Sequence, residues 1–200
     1  MKSQELNIVL QDIKLGNRER KIEAIKKISP ADKENLQDLK PVLLDIMEKG
    51  DGQVAWYAAT ALAELGDQSD GTAENLIANL TPPPSENENI LKYATTQSLS
   101  NIKYNPRVVD ALMSAYQTDR NISVRMGCLW ALGAIGDPSS KEFLEYIARQ
   151  GNGEEPCAAQ AALELFGKGD FEEIHTRKVE LGKKEQEKNE RGGFLKKLFG

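Results

Sequence analysis

The 200 residues fit one domain with a substantial core, and 28% charged against only 6% aromatic side chains favours an all-helical class. The formal net charge of -5 argues against broad nucleic-acid binding, but it hides a split: residues 1–176 carry 18 basic and 27 acidic groups, residues 177–200 carry 8 and 4. An acidic body with a basic tail is repelled by anionic lipid everywhere except at that tail.

At the N-terminus, Met1–Gly16 lacks the continuous apolar region and cleavage site of a signal peptide. No stretch approaches the roughly 18 apolar residues of a spanning helix, so the expected location is cytoplasmic. Leu6, Ile8, Val9, Leu10, Ile13 and Leu15 predict a helix that covers the open end of whatever follows.

From residue 17 onward one phrase recurs. Ala61-Leu62-Ala63-Glu64-Leu65-Gly66-Asp67 is echoed by Ala131-Leu132-Gly133-Ala134-Ile135-Gly136-Asp137 and by Ala162-Leu163-Glu164-Leu165-Phe166-Gly167-Lys168. Weaker copies end at Ser29 and Lys103. The terminal positions 29, 66, 103, 136 and 167 lie 37, 37, 33 and 31 residues apart, a period that means a solenoid of helix pairs. Each phrase ends the first helix of a pair, with the exit residue at the place of a left-handed cap. Asp32 with Glu34, Asp70, Asn105-Pro106 and Asp137-Pro138-Ser139 then open the second helices. The predicted pairs are 17–28/33–49, 52–65/71–80, 87–102/106–117 and 120–135/139–149, with a fifth first helix over 155–166 and its partner starting at Phe171. Leu39, Leu43, Leu44, Ile46 and Met47 form the apolar stripe of one second helix. Val108, Leu112, Met113 and Tyr116 form another, and Phe143, Leu144 and Ile147 a third. Thr81-Pro82-Pro83-Pro84-Ser85 reads as a stiff extended connector.

Chemistry finds little to work with. Cys128 and Cys157 sit among alanines and leucines and read as free packing thiols with no partner histidine. His175 is the single histidine and has no cysteine or compact carboxylate cluster beside it, so no metal or cofactor is expected. Gly151-Asn152-Gly153 reads as a turn between repeats and not a phosphate loop. Glu86-Asn87-Glu88, Glu154-Glu155 and Glu172-Glu173 read as helix-start charge. The expectation is a protein without catalytic residues.

The phrase, with Val124-Arg125 upstream of Ala131-Leu132-Gly133 and Asp137-Pro138 after it, resembles the HEAT repeat, especially the short HEAT-like repeats of phycobilisome lyases. The resemblance covers roughly 17–175, with Asn121–Gln150 the best copy. The position of Arg125 is taken elsewhere by Arg18, Ala55, Lys92 and Pro156. It implies a right-handed α-solenoid of about five helix pairs and a surface for holding another protein.

The interleaved charges of 177–192 read as a solvated helix or tether. Beyond them, Gly193-Phe194-Leu195-Lys196-Lys197-Leu198-Phe199-Gly200 places its apolar residues at i, i+1, i+4 and i+5, on one helical face. This segment is similar to the C-terminal membrane-targeting helix of MinD, the bacterial division-site ATPase. The similarity implies that Phe194, Leu195, Leu198 and Phe199 insert into lipid while Lys196 and Lys197 face phosphates.

The chain is thus expected to be a solenoid over 1–176, a charged linker over 177–192 and a docking helix over 193–200. The function that follows is a non-enzymatic scaffold or adaptor, tethered reversibly to the inner face of the cell membrane. Candidate protein contacts are Lys40, Asp45, Asp110, Arg120 and Lys141 on the second helices, with Trp56 and Trp130 as aromatic anchors if exposed. Two alternatives stay open: a soluble binding module whose tail docks on a partner, and a bilin-lyase-like enzyme or tetrapyrrole chaperone.

Overall fold

A computed structural model describes residues 2–49, 52–80, 86–103 and 105–199, with the side chains at 48, 52, 86–88, 90, 91, 185 and 187–199 outside that description. Among the described residues are eleven α-helices, one 3-10 helix and no strand: an all-α solenoid class of fold. The helices are α1 Ser3–Leu15, α2 Arg18–Ile25, α3 Leu36–Lys49, α4 Gly52–Glu64, α5 Asp70–Ala78, α6 Glu86–Leu99, α7 Pro106–Thr118, α8 Ile122–Ile135, α9 Pro138–Gln150, α10 Glu155–Glu164 and α11 Phe171–Phe199. They follow the predicted pairs closely. The connector 81–85 and the turn residue Tyr104 lie outside the described residues.

Local chemistry sets most boundaries. Asn17 accepts from the Arg20 amide (3.0 Å) at the start of α2, and Asn121 accepts from the Ser123 and Val124 amides at the start of α8. Asp137 caps α9, with Pro138 in the first turn, where a missing N–H costs nothing. Asp170 and Glu173 exchange side-chain-to-amide hydrogen bonds of 2.9 Å, a reciprocal box that starts α11. At the exits, Gly66, Gly136 and Gly167 all have positive φ, which explains the glycine of the repeated phrase. Ser29 departs from that expectation. Its φ is -129°, and it instead caps the 3-10 helix Pro30–Asn35 through Asp32, so the first second-helix begins with a 3-10 turn before α3.

The chain divides into two units, Met1–Ala111 and Leu112–Gly200. In unit 1, α1 packs on α2 and α3, α4 packs on α2, α3, α5 and α6, and α5 packs on α6. Leu39 and Leu43 are fully buried there and Ile46 nearly so, while Leu44 and Met47 pack at the margin. The N-terminal helix buries Leu6, Val9 and Ile13 against that core and packs Leu10 at its margin but leaves Ile8 and Leu15 exposed, so four of its six predicted apolar residues pack there. In unit 2, α10 packs on α8, α9 and α11, and α11 also reaches α8. α8 is buried from Met126 to Ala134 on every side, as its all-round apolar sequence requires.

Candidate functional site

The turns within each unit are tied to one another by polar contacts. Gln68, after the first phrase, donates to the Asn101 carbonyl (2.9 Å) and accepts from the Lys103 amide (2.6 Å). Asn105 donates to Asp70, and Arg107 pairs with Glu74 at 2.5 Å. In unit 2 the Gly167 amide donates directly to the Gly133 carbonyl at 2.9 Å. First helices are tied at their starts as well. Arg18 donates to Gln53 at 2.5 Å, and Arg125 donates to Glu155 at 2.7 Å, each reaching from one first helix to the next.

Two carboxylates that tie elements together are buried. Asp67 is buried and accepts from Lys40 Nζ (2.6 Å), Ser69 Oγ (2.5 Å) and Thr72 Oγ1 (2.7 Å). Burial alone would raise its pKa. The three hydrogen bonds and the Lys40 charge outweigh it and hold the carboxyl below its ordinary value. Glu155, also buried, carries the Arg125 bond and faces Tyr116. Burial first, then the Glu155 charge, pushes the Tyr116 phenol up to about 12. Burial likewise pushes the Cys128 thiol up, leaving it without thiolate character at neutral pH. Cys157 is also a free thiol but only half-buried, its Sγ donating to the Lys178 carbonyl at 3.4 Å.

The predicted contact residues are scattered. Trp56 and Trp130 are 6% and 4% exposed, so neither meets the condition for a surface anchor and both are core residues. Trp56 Nε1 donates to Thr95 Oγ1 (2.8 Å) inside unit 1, and Trp130 lies beneath the rings of Phe171 and His175 in unit 2. Lys40 is not a free cation either, since its ammonium is spent on Asp67. Asp45 pairs with Lys49 one turn along α3. Asp110 and Lys141 are exposed on α7 and α9, as expected of second helices. Arg120 is exposed too but sits in the turn after α7, which ends at Thr118.

Sequence reading missed Asp67 and Glu155 as buried groups. The Gly-Asp-x-Ser pattern shared by 66–69 and 136–139 marks an acid at a turn but not its burial, since Asp137 in the same pattern is not buried. Glu155 gave no signal, because a helix-start acid looks the same in sequence whether it faces water or an arginine. Among the described residues no group of three His, Cys, Asp or Glu is placed to hold a metal ion, and no helix is long and apolar enough to cross a membrane. The side chains of Phe194, Leu195, Lys196, Lys197, Leu198 and Phe199 lie outside the described residues.

Helix pairs of repeating length, joined at their turns and first-helix starts, define an α-solenoid. Residues 73–165, most of α5 through α10, match the family model of HEAT repeats, a repeat that commonly mediates protein–protein interaction. No curated protein matches the chain.

Proposed function

We propose that the chain is a non-enzymatic protein-binding scaffold that its C-terminal helix attaches reversibly to an anionic membrane surface. The HEAT-repeat match supports the scaffold. One observation carries the attachment: α11 is a single helix from Phe171 to Phe199, so the segment that begins packed on unit 2 is continuous with the basic, apolar end. At 1.5 Å per residue such a helix is about 43 Å long, a rod where the sequence left tether or helix open. Burying the face that spacing assigns to Phe194, Leu195, Leu198 and Phe199 contributes several kcal/mol, at about 25 cal/mol per Å². Lys196 and Lys197 near anionic lipid add about 1 kcal/mol each. The sum gives attachment that is reversible.

Cosedimentation tests this reading, with vesicles of phosphatidylglycerol or phosphatidylcholine and the full chain against one ending at Glu190. The expected result is binding to the anionic vesicles by the full chain alone, weakened by salt and by Phe194→Glu or Leu198→Glu. If both chains stay in solution with either lipid, the attachment is wrong. The soluble scaffold is then what remains.

A further inference from the structure

Thr60 and Trp130 hold the same place in the repeat, each six residues before the positive-φ glycine of its phrase, Gly66 or Gly136. Their burial differs: Thr60 is half-buried and Trp130 is buried. From Val54 to Leu65 every side chain of the α4 segment is buried except Tyr57, Thr60 and Glu64, which with Gln53 mark one stripe along the helix. The matching positions of α6 and the turn after it are Ala94, Gln97 and Asn101, none of them buried. Those of α2 and its exit are Arg20, Glu23 and Lys27, all exposed. Because α4 packs on both α2 and α6, the stripes join, among the described residues, into one partly exposed first-helix face of unit 1.

In unit 2 the same positions are Gly127, Trp130 and Ala134 on α8 and Ala158, Ala161 and Leu165 along α10, all buried but Leu165. α11 packs on both α8 and α10. Phe171 meets the Trp130 indole edge-on at 5.6 Å, and the His175 ring lies 4.6 Å from it. Arg177 pairs with Glu164 at 2.5 Å and Lys178 with Glu154, cations of the helix on acids of the face. The chain therefore displays, in one of its own units, the kind of ligand this face accepts: an amphipathic helix.

On unit 1 the signs are reversed. Residues 18–27 hold five cations (Arg18, Arg20, Lys21, Lys26, Lys27) and two acids, net +3, within a 1–176 body of net -9. Lys26 Nζ lies 5.2 Å from the Tyr57 ring centre, at the border of the stripe. The middle of the face, Tyr57, Thr60 and Gln97, is uncharged. Glu64 lies at one end of the α4 stripe and Glu23 lies 3.9 Å from Lys26. The cations of α2 still outnumber its acids beside that uncharged centre, which suits a helix with an acidic edge better than an extended polyanion.

We propose that the first-helix face of unit 1, with Tyr57 and Thr60 at its centre and Lys26 and Lys27 at its border, docks an acidic amphipathic helix of a partner protein. This rests on the scaffold reading and gives it a surface and a partner chemistry.

The test uses the isotope-labelled full chain and two synthetic helical peptides of leucine, alanine and one phenylalanine. One carries glutamates along its polar edge; its twin carries lysines. The acidic peptide is expected to shift the amides around Tyr57, Thr60 and Gln97 and to bind about tenfold tighter than the twin. Lys26→Glu with Lys27→Glu removes that preference, and Lys141→Glu leaves it intact. Equal binding of the twins to the unsubstituted chain, shifts confined to the second helices, or no shifts at all overturn the proposal, and none of these outcomes depends on a variant folding. So does loss of phosphatidylglycerol-vesicle binding in a chain ending at Glu190 when Lys26 and Lys27 are reversed, which makes the face a lipid surface. A photo-crosslinker at Thr60 and at Lys141 in cells separates the two readings. Crosslinks from Lys141 alone overturn this face and keep the scaffold; none from either position fails both.

Discussion

Gly136 and Gly167 approach so closely that a Cβ placed on Gly136 would lie 2.3 Å from the Gly167 Cα, below any real contact. Gly136 also has φ +68°, so the glycine is needed for its backbone angle and for its missing side chain at once. Gly66 has φ +89° but nothing within 4 Å of the place a Cβ would take, so only the first requirement applies. Gly66→Ala should therefore cost about 1–2 kcal/mol, the left-handed penalty alone. Gly136→Ala should cost clearly more, because the turn must also part from Gly167. Urea unfolding of the two variants checks this, and equal losses would mean the contact between the turns contributes nothing.

Asp67 makes a pH-dependent contribution. Its folded pKa is held below the ordinary 3.8, so the stability it supplies is fully present above about pH 4 and is lost as pH falls through the folded value. Asp67→Asn keeps the shape and removes the charge beside Lys40; at neutral pH it should cost about 1–3 kcal/mol. The gap between wild type and Asp67→Asn should hold steady from neutral pH down to about 4 and close below that. A gap that persists undiminished well below the ordinary carboxylate range would assign the loss to packing and not to ionisation.

Tyr116 works at the other end of the scale. Burial and the neighbouring Glu155 charge raise its phenol from 10.0 to about 12, so the stability linked to it is present below pH 10 and lost as pH rises through the raised value. Ultraviolet titration of tyrosinate should show one tyrosine ionising late. Glu155→Gln should move that step toward 10 without reaching it, because burial remains, and should cost about 1–3 kcal/mol through the weakened Arg125 bond. An unmoved step would place Glu155 too far from the phenol to matter.

The helix pairs were legible because their signals are local: a glycine that must turn left-handed, a capping Asn or Asp, and apolar residues at helical spacing. The second helices show this best, since Leu39, Leu43, Leu112, Leu144 and Ile147 are all buried as their spacing demands. Core packing is the default for Trp56 and Trp130, and both are buried, but their offsets from the capping glycine differ and neither offset says what lies across from it. Trp130 stands where α4 has a half-buried threonine, and Phe171 and His175 of α11 lie against it from more than 40 residues away. Lys40 misled for a related reason: a lysine on the polar side of α3 looks solvated until Asp67 arrives from 27 residues away. Tertiary partners at such separations leave no periodic trace in the chain.

Phe171 is where α11 is pinned to unit 2, so its removal should uncouple that helix while leaving the helix start intact. It is 3% exposed and contacts Trp130. Phe171→Ala should cost about 3–5 kcal/mol, the usual loss for a buried aromatic. In a Trp56→Phe background, where Trp130 is the sole fluorophore of its kind, the emission should shift to the red as the indole meets water. Asp170→Ala removes only the capping bond to the Glu173 amide and should cost about 1 kcal/mol with no red shift. If both variants redden the emission equally, α11 is held by its start and not by the aromatic contact. If neither does, Trp130 is shielded by α8 and its other neighbours, and α11 is not what makes it interior.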